Sequence, residues 1–118
     1  MIKLVYCFCK REDLTHAEFY DYWIRVHTPI AKRIPGIKKI VRSHAIQAAE
    51  QNKKPDFDGM AELWFESLEV IAKSRTSPEW QASTADEANF INPNRVAYFL
   101  SEEHEIIPLD ARFRAQTI

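Results

Sequence analysis

Ile2-Lys3-Leu4-Val5-Tyr6-Cys7-Phe8-Cys9 is apolar on both sides of an extended chain. Side chains alternate along a strand. Ile2, Leu4, Tyr6 and Phe8 therefore share one side, and Val5, Cys7 and Cys9 share the other. A strand apolar on both sides belongs in the middle of a sheet covered on both faces. Neighbouring cysteines at i and i+2 of a strand are too poorly placed for a relaxed disulfide. Two sulfurs alone also make a poor zinc site. Cys7 and Cys9 read as small buried hydrophobes.

Outward from this strand the periodicity changes. Thr15-His16-Ala17-Glu18 is a capping box, with Leu14 and Phe19 placed for a hydrophobic staple. Phe19, Trp23, Val26 and Ile30 follow helical spacing and predict the buried stripe, with Tyr20, Ile24 and His27 alongside. Pro29 predicts a kink or an end near Thr28. After the Pro35-Gly36 turn, residues 37–48 read as a second strand with Ile40, Arg42, His44 and Ile46 on one face. Residues 49–57 read as a loop and 58–65 as a third strand, with Met60, Glu62 and Trp64 on one face. Helices follow over 68–74 and from Ser77-Pro78 toward Phe90. Asn92-Pro93-Asn94 reads as a turn, 95–107 as a fourth strand and 108–118 as a tail. The order β-α-β-β-α-β is the ferredoxin-like split arrangement, an α+β domain over 1–107. Its four-stranded antiparallel sheet has helices on one face. The other face is too apolar for water and predicts a partner, most simply a second copy in a twofold homodimer.

Composition narrows the function classes. The 118 residues suffice for one domain with its own core. A hydrophobic fraction of 46% fits a globular chain, and a net charge of -1 argues against nucleic acid as partner. No apolar run reaches membrane-span length, and the N-terminus has no signal-peptide cleavage region. A cytoplasmic protein is expected. There is no Gly-rich phosphate loop, nucleophile elbow or H-E-x-x-H helix. No cofactor is expected.

The candidate site residues are polar groups in apolar surroundings. His27 lies near a helix end, where the dipole favours its charge and burial opposes it. Those opposed pressures can tune a histidine for proton transfer. A hairpin centred near Lys53 pairs His44 with Glu62, Ile46 with Met60 and Arg42 with Trp64. In that register Glu62 orients His44, and Arg42 holds a carboxylate or enolate oxygen at a pocket mouth. Tyr6, Tyr20, Trp23, Trp64 and Tyr98 are the candidate substrate-binding aromatics. Each also has a structural reading: His27 as a helix cap, His44 and Glu62 as a solvated pair, Arg42 as a surface arginine and the tyrosines as packed rings with a satisfied hydroxyl. His16 and His104 read as surface residues. His27, His44 and Glu62 could supply a two-histidine, one-carboxylate metal set, but nothing in their spacing requires one and no metal is expected.

Phe19-Tyr20-Asp21-Tyr22-Trp23-Ile24-Arg25-Val26-His27-Thr28-Pro29 resembles the F-x-x-Y-W-x-x-x-H-x-P signature of the EthD family. Asp58-Gly59-Met60-Ala61-Glu62-Leu63-Trp64-Phe65 resembles its D-G-x-A-E-x-W-F strand. Phe90-Ile91-Asn92-Pro93 and Glu102-Glu103-His104 resemble its ending, and the likeness spans about residues 2–107. Thr28 departs from a common glycine and Asn92 from a frequent aspartate. The resemblance implies a dimeric α/β barrel. That superfamily holds lactone isomerases, polyketide cyclases, cofactorless oxygenases, haem-degrading enzymes and ligand-binding stress proteins. The EthD family is named for an ether-degradation gene cluster and commonly filed under oxidoreductases, and its signature histidine corresponds to His27.

Three functions are expected in that order. The first is an isomerase, lyase or cyclase that moves a proton next to a carbonyl on an aromatic, polyketide-like or lactone-type acid. The second is a cofactorless oxidoreductase or monooxygenase. The third is a binding protein for a hydrophobic small molecule.

Overall fold

A computed structural model describes residues 1–46 and 53–110. The chain runs β1 (Ile2–Lys10), α1 (His16–Tyr22), a π turn (Trp23–His27), α2 (Thr28–Ala31), β2 (Lys39–His44) and β3 (Gly59–Phe65). It continues through α3 (Leu68–Arg75), α4 (Pro78–Asp86), a 3₁₀ turn (Glu87–Asn89) and β4 (Ile91–Glu102). The predicted loop and the end of the second strand fall partly, and the tail mostly, outside the described residues. No helix among those described is long and apolar enough to cross a membrane.

The capping box forms as its sequence predicts. Glu18 N–H donates to Thr15 Oγ1 (3.1 Å), and Thr15 N–H donates to Glu18 Oε1 (2.9 Å). Leu14 packs beside the cluster that holds Phe19. Of the two outcomes expected near Thr28, an end does not occur; the helix is instead irregular there, with a π turn over Trp23–His27. Thr28 keeps helical angles (φ -57°, ψ -44°), and its N–H reaches back five residues to Trp23 O. Thr28 Oγ1 donates to the same oxygen at 2.7 Å. A π turn inserts one extra residue into the helix. The missing Pro29 donor is thereby accommodated without ending the helix. It also moves the buried stripe. Phe19, Trp23 and His27 are buried, whereas Val26 and Ile30 are only half-buried.

The sheet order is β2-β3-β1-β4 with every neighbouring pair antiparallel. Leu4, Tyr6 and Phe8 point to the helices, packing with Phe65 and Ile71 at one end and Phe19, Trp23 and Phe90 at the other. Ala61 and Leu63 lie on the same side. Four residues from four strands form rows across this side: Arg42, Ala61, Tyr6 and Tyr98, then Ile40, Leu63, Leu4 and Leu100.

The pairing of β2 with β3 differs from the sequence-derived one. His44 sits opposite Gly59, Ser43 opposite Met60 and Arg42 opposite Ala61. The expected pairs were three residues away, and an odd slip exchanges the two faces. Glu62 therefore lies opposite Val5 and Val41, on the side away from the helices, and cannot pair with His44. The second strand is also shorter than 37–48. Asn92-Pro93-Asn94 is not a turn but the start of β4, where the register with β1 shifts between Phe8 and Lys10. A bulge on an edge strand tolerates proline because no ladder donor is lost there.

Gly59 is dictated by packing. A Cβ at this position would collide with the Trp23 indole ring. Asp58, just before it, accepts Lys10 N–H (2.8 Å) and pairs with the exposed His16 (3.0 Å). The face away from the helices carries Val5, Cys7, Met60, Trp64 and Phe99. Lys3 and Lys39 lie over the Trp64 ring at 5.2 and 4.6 Å. Both cysteines are free and half-buried.

Candidate functional site

The helix-facing side of the sheet and the helices enclose a cavity of about 820 Å³. Tyr6, Trp23, His27, Arg42, Glu87 and Tyr98 are among its lining. The π turn carries His27 onto the buried line of α1, with its ring 4.7 Å from Phe90. The end of α4 brings Asp86 to meet it. His27 Nδ1 lies 2.9 Å from Asp86 Oδ2, and the two side chains are only 11% and 10% exposed. Tyr22 OH (2.6 Å) and Asn89 Nδ2 (3.0 Å) both donate to the other oxygen, Oδ1.

The electrostatics of this pair follow from those partners. Burial acts most strongly on Asp86 and pushes its carboxyl up. The hydrogen bonds from Tyr22, Asn89 and His27 together outweigh it and hold Asp86 below its ordinary value. Asp86 is thus an acceptor-only carboxylate at neutral pH. Burial lowers the His27 pKa below the imidazole norm, against an upward pull from Asp86. A neutral His27 facing a carboxylate must donate from Nδ1. That tautomer leaves a lone pair on Nε2. A carboxylate behind an imidazole also stabilises the cation that forms when Nε2 takes a proton.

A second polar pair lies on the sheet floor. Tyr6 OH donates to Glu87 Oε1 at 2.8 Å. Burial raises the Glu87 pKa, opposed by the Tyr6 hydrogen bond and reinforced by nearby Asp86. Burial and Glu87 together push the Tyr6 phenol well above its ordinary range. Arg42 faces them in the same sheet row, with its Nη1 donating to Thr28 Oγ1 (2.9 Å) and its guanidinium 5.8 Å from the Trp23 ring. No carboxylate among the described residues lies within ion-pair distance of Arg42.

Five of the nine residues read from the sequence therefore meet at the cavity: His27, Arg42, Trp23, Tyr6 and Tyr98. The others do not. His44 stacks on Tyr20 (4.2 Å, 12°) behind Trp23 (5.1 Å). Its Nε2 is buried without a hydrogen-bond partner among the described residues. Burial, then Arg42, lowers its pKa. Tyr20 OH donates to Asp58 O (2.8 Å), away from the cavity. Glu62 forms an ion pair with Lys3 (2.9 Å), and Trp64 Nε1 donates to Glu103 (3.3 Å), both on the opposite sheet face.

Asp86 and Glu87 are the residues the sequence reading missed. Their signal was available. Two acids close the α4 helix, where the dipole opposes negative charge. Asn89 also stands three residues after Asp86, within reach of its carboxylate. Such a placement needs partners outside the helix.

The profile of the EthD domain family matches residues 11–94. A protein of Rhodococcus erythropolis, an uncharacterized 11.0 kDa protein in the thcB-thcC intergenic region, is 29% identical over 87 residues, covering 74% of this chain and 82% of that one. Among solved structures, an EthD family protein of Bacillus halodurans superposes with a TM-score of 0.74 at 22% identity, over 88% of this chain and 99% of the other. A dimeric protein of unknown function with a ferredoxin-like fold from Bacteroides fragilis gives 0.62 at 17% identity, over 86% and 95%. SnoaB, a cofactor-independent oxygenase of Streptomyces nogalater, gives 0.61 at 13% identity, over 91% and 96%.

Proposed function

The chain belongs to the EthD family, and we propose that it is a small-molecule acid/base enzyme that moves a proton beside a carbonyl, with His27 as base and Asp86 as its orienting partner. The observation that carries this reading is the Nδ1 hydrogen bond between His27 and Asp86 at the wall of a largely apolar cavity. The substrate class it suits is an aromatic, polyketide-like or lactone-type acid.

Nε2 takes a proton from the carbon next to the carbonyl. The C–H electron pair moves into an enolate, and its oxygen is held by the Arg42 guanidinium. The imidazolium then returns the proton at the same carbon or a neighbouring one. Asp86 replaces Glu62 in the orienting role. The second proton carrier is Glu87 with Tyr6, not His44, because Glu87 and Tyr6 line the cavity and His44 does not. A panel of aryl ketones, keto acids and lactones in deuterium oxide tests this directly. Incorporation of deuterium next to the carbonyl is the expected result, and its absence across the panel would contradict the reading.

A second reading is a cofactor-independent oxygenase, favoured by the fold shared with SnoaB. The same base would then deprotonate an electron-rich phenol. Consumption of dissolved oxygen during turnover separates the two.

The exposed apolar edge supports a homodimer as part of the proposal. Tyr98, Phe99 and Leu100 of β4 are 65%, 58% and 40% exposed. Two copies packed by their helix-free sheet faces, closing a barrel, would cover Phe99 together with Cys7 and Met60. Sedimentation at micromolar concentration should give twice the chain mass. A monomer there would remove this arrangement from the proposal.

A further inference from the structure

The cavity is charged unequally along its length. Beyond the row of Arg42 and Tyr6 its floor is apolar, formed by Ile40, Leu63 and Leu4. Past Ile40 the cavity is lined by Lys38, just before β2, whose N–H donates to Trp64 O (2.8 Å). Four residues along a strand separate Arg42 from Lys38, about 13 Å. Phe65 closes the same end, with Trp80 at 6.3 Å and the Arg75 guanidinium over the Trp80 ring at 5.7 Å. Lys32, on the turn from α2 toward β2, lines the cavity as well. Lys38 has one exposed carboxylate partner, Glu66, at 3.6 Å. Lys32 and Arg75 have none among the described residues. Glu87 is the one carboxylate lining the cavity among those residues, and Tyr6 holds it at the far end.

A chain with net charge -1 thus gathers three cations at one end of an apolar slot, two of them, Lys32 and Arg75, without a carboxylate partner among the described residues, against the single Arg42 at the other end. We propose that the cavity takes an elongated amphipathic anion. Its aromatic or carbonyl-bearing head lies at Tyr6 and His27, its apolar middle over Leu4 and Leu63, and its anionic terminus among Lys32, Lys38 and Arg75. The orientation of the head rests on the proton-transfer reading; the basic terminus does not. Carboxylate, sulfate and phosphate termini share the required chemistry.

Dansylaminoundecanoic acid has this shape, and its methyl ester is the neutral control. Fluorescence titration should show the acid binding about tenfold or more tightly than the ester, the span of a charge-assisted hydrogen bond. The K32E/R75E double variant alters exposed side chains only. It should bring the acid's affinity down to the ester's and leave the ester unchanged, with an unaltered circular dichroism spectrum. The preference should also fall with added salt. Equal binding of acid and ester to the unaltered protein would overturn the proposal, as would failure of both to bind. A preference that survives in K32E/R75E but disappears in R42Q would overturn it too, by placing the anion at Arg42. The titration involves no turnover, so its failure is distinguishable from failure of the proton-transfer reading.

Discussion

Replacing His27 with glutamine should lower the rate of carbonyl-adjacent deuterium exchange by about 10²- to 10⁴-fold, the range a positioned general base supplies. Glutamine can still donate to Asp86, so the partner is not left as a bare buried charge. Circular dichroism and the unfolding midpoint should change little beside the loss of rate. The pH dependence has a definite sign. Burial lowers the His27 pKa below its ordinary 6.5, so the free base persists into mildly acidic solution. The exchange rate should rise with pH through a limb centred below 6.5 and then level off. H27Q should lack that limb. Undiminished exchange in H27Q would refute His27 as the base and leave a binding role for the cavity.

Asp86→Asn should cost about as much, although Asp86 lies behind the reacting nitrogen, because a wrong tautomer removes the base itself. Tyr22 and Asn89 both donate to Asp86 Oδ1. In the variant the amide oxygen best serves those two donors. The amide NH₂ then faces His27 Nδ1 as a donor. His27 must respond as an acceptor at Nδ1, which puts its proton on Nε2. The lone pair that takes the substrate proton is then gone. Asp86 also raises the His27 pKa, so D86N should lower it further. A histidine held only by packing would shift neither its tautomer nor its rate in this way. Unchanged exchange by D86N would show that the dyad is structural.

The sequence made the frame legible because its signals are local. The doubly apolar β1, the capping box at Thr15 and the proline start of α4 each specify one element without help from distant residues. Pro29 marked a break in helical regularity near Thr28 but not its kind, because its effect depends on the helix register. In a regular α-helix it removes a donor, but in the π turn the ladder has already skipped a residue. The β2–β3 register was not legible because hairpin pairing depends on the loop, and a three-residue slip moved Glu62 from the cavity side to the Lys3 side. Asn92-Pro93-Asn94 has turn composition, yet an edge bulge uses the same residues as strand. His27, Arg42 and Tyr6 were legible as polar groups in apolar company. Their pairings with Asp86, Thr28 and Glu87 were not, because each is made by packing between elements. The family resemblance agrees with the domain match over residues 11–94.

The central claim is that His27 is held neutral, protonated on Nδ1 by its bond to Asp86, with Nε2 free. Long-range ¹H–¹⁵N correlation of the histidine rings across pH 5 to 8, with H27Q used to assign the signal, reads tautomer and charge together. The account predicts a neutral ring at pH 7 with the proton on Nδ1 and a pKa below 6.5. A proton on Nε2, or an imidazolium at pH 7, would contradict it.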